Sequence, residues 1–114
     1  MENFKTNCKN FIDRAINNGD IKVVNFDSIR EAIHDFCGAN DVQYLADSLE
    51  GELIPNYGKV VNVSGLTYDD DDLPEALELG ETVYILQNDG EAGLIESLKT
   101  GTLHYLDLVR IELF

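Results

Sequence analysis

Apolar residues recur at Phe4, Cys8, Phe11, Ile12, Ala15 and Ile16, a spacing that lays one stripe along an α-helix. Lys5, Lys9, Asp13 and Asn17 occupy the opposite face, and Gly19 supplies a stop. The period then shortens. Ile21 to Phe26 is a brief, β-branched run that reads as a strand. A second helical stripe follows in Ile29, Ala32, Ile33, Phe36 and Cys37, capped by Asp27 or Ser28, with Ser28 and Glu31 spaced as a capping box and Gly38 at its end. Val42, Leu45, Ala46 and Leu49 mark a third helix, capped by Asn40 or Asp41 and stopped by Gly51.

Beyond Gly51 the pattern turns to strands. Leu53 to Gly58 contains Pro55, Asn56 and Gly58 and reads as a connector, and Lys59 to Ser64 as the next strand. Gly65 opens an acidic segment in which Pro74 suits the first turn of a short helix, the alternative being an irregular lid over Leu73 to Leu79. Glu81 to Gln87 is a further strand, closed by the turn signal Asn88-Asp89-Gly90. Glu91 to Lys99 fits a short helix ended by Gly101 somewhat better than the alternative, a hairpin partner of the preceding strand. From Tyr105 to Phe114 the chain alternates, with Val109, Ile111 and Leu113 on the core side of a terminal strand. The expected architecture is α+β: one compact domain over residues 1–114, three N-terminal helices packed on a small, mostly antiparallel sheet of about four strands.

With 44% hydrophobic residues in 114, the chain can bury a core without metal or disulfide staples. Its formal net charge of −14 is therefore that of a folded acidic protein, and the charge is unevenly placed. Residues 1–40 are nearly neutral, and residues 97–114 balance. Residues 41–96 carry fourteen acids against the single cation Lys59, a net of −13. Such a distribution predicts a directional field rather than an evenly solvated surface. It also excludes nucleic acid as a direct ligand, because binding phosphates calls for the opposite sign.

Cys8 and Cys37 fall on apolar helix positions, where a thiol behaves as a small hydrophobe, so both are expected buried and reduced. The chain opens with no charged n-region followed by an apolar h-region, and no run approaches the ~18 apolar residues of a membrane span. The expectation is a protein without a membrane partner, cytoplasmic, and in a bacterial host's cytoplasm if phage- or plasmid-encoded.

The densest charge runs from Thr67 to Glu81, with Asp69, Asp70, Asp71, Asp72, Glu75, Glu78 and Glu81 and no Lys or Arg among them. Four consecutive aspartates repel one another and add nothing to a core. Calcium is not indicated: counted from Asp69, the fifth and sixth places of an EF-hand loop would be Leu73 and Pro74. His34 and His104 lie in neither an H-x-x-x-H nor a Cys-His spacing, so no zinc site is read, and surface or cap histidines are expected. No serine sits in G-x-S-x-G, and Gly90 to Gly93 lacks the lysine of a phosphate loop. No metal, cofactor or catalytic residue is assigned.

What remains is capture of a basic partner. Duplex DNA presents one negative charge per ~1.7 Å of axis, and carboxylates along one side of a domain can occupy a groove built for phosphates. The residues expected to meet the partner are Tyr68, Asp69, Asp70, Asp71, Asp72, Glu75, Glu78 and Glu81, with Tyr57 and Tyr84 as further candidates for aromatic anchors. In size and composition the chain is similar to the small acidic proteins that phages and mobile elements use against CRISPR or restriction nucleases. That similarity rests on no specific motif, and it implies competition with DNA for a nuclease's basic channel. Two other readings stand beside it: an antitoxin or immunity protein neutralising a basic toxin, and a structural homodimer joined through Phe4, Leu113 and Phe114. The mimicry reading requires the carboxyl groups of 41–96 to share one side of the molecule, uncompensated by the protein's own cations.

Overall fold

The helical stripes and the strand alternation part company at Pro55. The computed structural model describes residues 2–63 and 77–114, which form two compact units, Met1–Pro55 with Phe114 and Asn56–Leu113. The first is helical: α1 (Glu2–Asn17), α2 (Phe26–Ala39) and α3 (Ala46–Leu53). Cys8 and Ile12 of α1, Ile29, Ile33 and Cys37 of α2, and Leu49 and Leu53 of α3 are fully buried, as the 3.6-residue spacing demands. Phe36 sits between two rings of α1, edge-on to Phe4 at 5.9 Å and tilted against Phe11 at 5.6 Å.

Several local expectations are corrected here. Ile21 to Phe26 is not a strand. The Ile21 amide instead donates to the Ala15 carbonyl, tying the segment back to the end of α1, and Val23 is 69% exposed. Asn25, rather than Asp27 or Ser28, caps α2. Its Oδ1 accepts from the Ser28 amide at 2.8 Å while Ser28 Oγ accepts from the Asn25 amide at 2.9 Å, so the reciprocal box is Asn25–Ser28 and not Ser28–Glu31. Gly38 lies inside α2, which is closed by Asn40. Asn40 and Asp41 do not cap α3: Asp41 takes a left-handed turn (φ 56°), and a 3-10 turn over Gln43–Leu45 leads into the helix. Gly51 does not stop α3, which continues until Leu53 is buried below Leu49.

The second unit is a sheet of five strands among the described residues: β1 (Tyr57–Val60), β2 (Thr82–Asn88), β3 (Ala92–Ser97), β4 (Leu103–Asp107) and β5 (Ile111–Leu113). Every pairing is antiparallel and the order is β4-β3-β2-β1-β5. The chain is thus α+β, with five strands rather than about four. Tyr57 and Gly58, read as connector, open β1, which pairs only as far as Val60. Glu91 to Lys99 is a hairpin partner and not a helix, since the turn after Asn88 sends β3 back along β2. The terminal segment is two strands. A 3-10 turn over Leu108–Arg110 divides β4 from β5 and leaves Val109 83% exposed, not in the core.

That short link shapes the sheet. The outer strands of a flat sheet in this order would stand about 19 Å apart, farther than the roughly 14 Å that the chain from Asp107 to Ile111 can reach. The sheet is therefore curled towards closure, helped by a bulge between Ile85 and Gln87. Val60, Val83, Ile85, Ile95, Leu106 and Ile111 meet inside the curl, with Leu77 against them. Val60 and Glu81 hold the neck where β1 and β2 approach: the Val60 amide donates to the Glu81 carbonyl at 3.0 Å, and the Gly80 amide to the Val60 carbonyl at 2.7 Å. The acidic segment joins β1 to β2 across this neck. The short helix or lid expected near Pro74 lies outside the described residues. Among the described residues, no helix is long and apolar enough to cross a membrane.

Candidate partner-binding surface

Of the residues nominated from sequence, Tyr68, Asp69, Asp70, Asp71, Asp72 and Glu75 lie outside the described residues. Glu78 and Glu81 are described, and both are engaged within the sheet unit. Glu81 Oε1 accepts from the buried Ser97 hydroxyl at 2.6 Å and its Oε2 from the Glu78 amide at 2.5 Å. Glu78 Oε2 pairs with Lys99 Nζ at 2.7 Å across an exposed surface. These two carboxylates fasten the end of the acidic connection to the last residue of β3 and to the turn after it. Glu81 is half-buried and Glu78 is compensated, so neither stands as a free anion.

The tyrosines divide differently from expectation. Tyr57 and Tyr84 are buried and pack edge to face, 4.8 Å between centroids, opposite each other in the β1–β2 register. Tyr105, not singled out by its sequence context, is 62% exposed. The register fixes its neighbours: Leu94 lies opposite Tyr105, Glu96 opposite Leu103, and Ala92 opposite Asp107, all on one face of the β3–β4 pair. The other face carries Ile95, His104 and Leu106 inward. Leu103 is 50% exposed beside Tyr105, giving the outer face an apolar centre with Glu96 and Asp107 at its ends.

Asp89, in the β2–β3 turn, completes this surface. Its Oδ2 accepts from the Tyr105 hydroxyl at 2.8 Å, and the Gln87 amide donates to both of its oxygens at 2.9 and 3.1 Å. The Gln87 amide first, and the Tyr105 hydroxyl second, hold the Asp89 carboxyl below its ordinary range, while the same bond to Asp89 pushes the Tyr105 phenol up. The ring is fixed in place and the carboxylate stays charged. The turn itself is stable because Gly90 takes φ +103° while its amide donates to Asn88 Oδ1 at 2.9 Å. Glu81 precedes β2 and Asp89 follows it, so two carboxylates bracket the strand, roughly 26 Å apart along an extended chain.

The remaining acids of 41–96 include four in the helical unit, Asp41, Asp47, Glu50 and Glu52. Glu50 is compensated, with Arg30 Nε at 2.9 Å and His34 Nε2 at 2.9 Å. Among the described residues the acids of 41–96 therefore fall in both units, with Glu50 and Glu78 paired to the chain's own basic side chains. A groove in the helical unit carries Arg14 and Lys22 together with Asp20, Glu31 and Asp35. Its serine, Ser28, is committed to the cap of α2. In the homodimer reading, Leu113 is half exposed on β5 but Phe4 is packed against Phe36.

No protein-family model, curated protein or solved structure matches the chain, so its residues alone carry the functional reading.

Proposed function

We propose that the chain is a non-enzymatic inhibitor that lays carboxylates on the nucleic-acid-binding surface of a basic protein, a nuclease of the CRISPR or restriction kind, in place of DNA. The observation that carries this reading is the outer face of β3 and β4. There an exposed tyrosine, oriented by a charged aspartate, stands beside Leu103 and between Glu96 and Asp107. Protein hot spots combine such aromatic anchors with a charged rim. The partner's arginines and lysines meet carboxylates in charge-assisted, often bidentate contacts. The acidic connection between β1 and β2 adds Asp69, Asp70, Asp71, Asp72 and Glu75 to the charge of the same unit. A tyrosine already held by its neighbour loses little freedom on docking, which favours affinity without new contacts.

The test begins with capture of the partner from a bacterial lysate at low ionic strength, followed by a DNA-cleavage assay on the captured nuclease. Expected is inhibition that excess duplex DNA relieves. Tyr105→Ala should weaken the inhibitor at least about tenfold, the scale of a lost hot-spot side chain. Replacing Asp69 to Asp72 by Asn should weaken it further. Inhibition indifferent to DNA concentration and to both changes would overturn the reading.

A further inference from the structure

The helical unit brings a histidine of α2 to two carboxylates of α3. Asp47 and Glu50 are three residues apart on α3 and share a helix face. His34, on α2, reaches that face: its Nε2 lies 2.9 Å from Glu50 Oε2. One ligand atom from each of His34, Asp47 and Glu50 lies within 4.8 Å of the others. We propose that these three residues form a binding site for a divalent transition-metal ion of the zinc class, bridging α2 and α3.

Three features argue for this chemistry. Zinc is held by imidazole nitrogen and carboxylate oxygen at about 2.0–2.2 Å, which puts tetrahedral ligand atoms roughly 3.4 Å apart. His34 and Glu50 are already closer than that, and the carboxylate of Asp47, exposed at the start of α3, lies within 4.8 Å of both. Arg30 supplies the second feature. Its Nε binds Glu50 Oε1 at 2.9 Å, which leaves Oε2 directed at His34 and fixes the carboxylate plane, as outer-shell partners do around metal ligands. The third is the donor set itself. An imidazole with two carboxylates favours zinc, copper, nickel or cobalt over calcium and magnesium, which prefer oxygen alone. Three protein ligands leave a fourth tetrahedral position for water or for a donor from another molecule.

The same contacts would serve as a plain ionic staple between two helices, and titration with zinc separates the two. With ZnCl2 as the probe, calorimetry should give one saturable site per chain, undisturbed by millimolar Mg2+. His34→Gln and Asp47→Asn should each weaken it at least about tenfold, on the scale of disrupted metal shells. Both side chains are exposed, so neither substitution threatens the fold. Replacing Asp69 to Asp72 by Asn should leave the site intact, which distinguishes it from diffuse attraction to an acidic protein. In NMR spectra, zinc should shift the ring signals of His34 and leave those of His104 in place. Absence of a saturable site, retention of full affinity in His34→Gln, or equal competition by Mg2+ would each overturn the proposal.

Discussion

His104 is the residue whose environment departs furthest from its sequence reading. Expected at the surface, it is buried on the inner face of β4, where Nε2 meets the Thr102 hydroxyl at 2.8 Å. Burial lowers its pKa from the ordinary 6.5, and the nearby Glu81 carboxylate opposes that effect without cancelling it. The unfolded chain therefore binds this proton at a higher pH than the folded one. Stability from this group is complete above about pH 6.5 and is lost as the pH falls through the lower, folded value. Urea unfolding at a series of pH values should show stability declining below pH 6.5, and His104→Gln should flatten that limb. An unchanged limb would place its origin elsewhere. Glu50, held below the usual 4.5 chiefly by its hydrogen bond with His34, adds a separate acid limb at lower pH. The run Leu103, His104, Tyr105, Leu106 does not by itself say which side faces inward. Histidine and tyrosine are each amphipathic enough to sit on either face, and only the pairing with β3 decides the matter.

At the scale of elements, what was legible and what was not follows from how local the determining contacts are. The three helices could be read because their stripes are built from residues three and four apart. The strand after Asn88 is hard to tell from a helix by its sequence because Leu94, Ile95 and Leu98 also satisfy a helical spacing. Its true determinant is the turn that commits the chain to a hairpin. Ile21 to Phe26 failed the other way, a β-branched run with no strand to pair with. Two glycines turn this into opposite predictions. A Cβ at Gly93 would stand 2.5 Å from the Gln87 carbonyl oxygen and 2.9 Å from Leu108 Cδ2, so Gly93→Ala should cost about 1–3 kcal/mol. Gly51 sits within α3 with nothing within 4 Å of that position, so Gly51→Ala should stabilise by about 0.5–1 kcal/mol. A thermal midpoint that rises in Gly93→Ala would contradict the first assignment, and one that falls in Gly51→Ala the second.

For the whole molecule the dominant quantity is charge. A net of −14 on 114 residues destabilises any folded arrangement through self-repulsion, and added salt screens it within a Debye length of about 8 Å at physiological ionic strength. The thermal midpoint should therefore rise with NaCl while affinity for a basic partner falls, two slopes of opposite sign measurable on one preparation. Affinity indifferent to salt would exclude carboxylate-led docking. The position of the charge in the chain was legible, yet the candidate face was not, because Asp89 and Tyr105 are sixteen residues apart and are brought together by the pairing of β3 with both β2 and β4. One internal feature offers a way to watch the helical unit on its own. Cys8 and Cys37 are the chain's two cysteines, both completely inaccessible, and burial above all, with the Cys37 sulfur adding to it, pushes the Cys8 thiol up to about 12. Neither can be alkylated while α1 and α2 stay closed. The velocity of labelling by a small electrophile is thus a clock for their opening, and it runs without any signal from the strands.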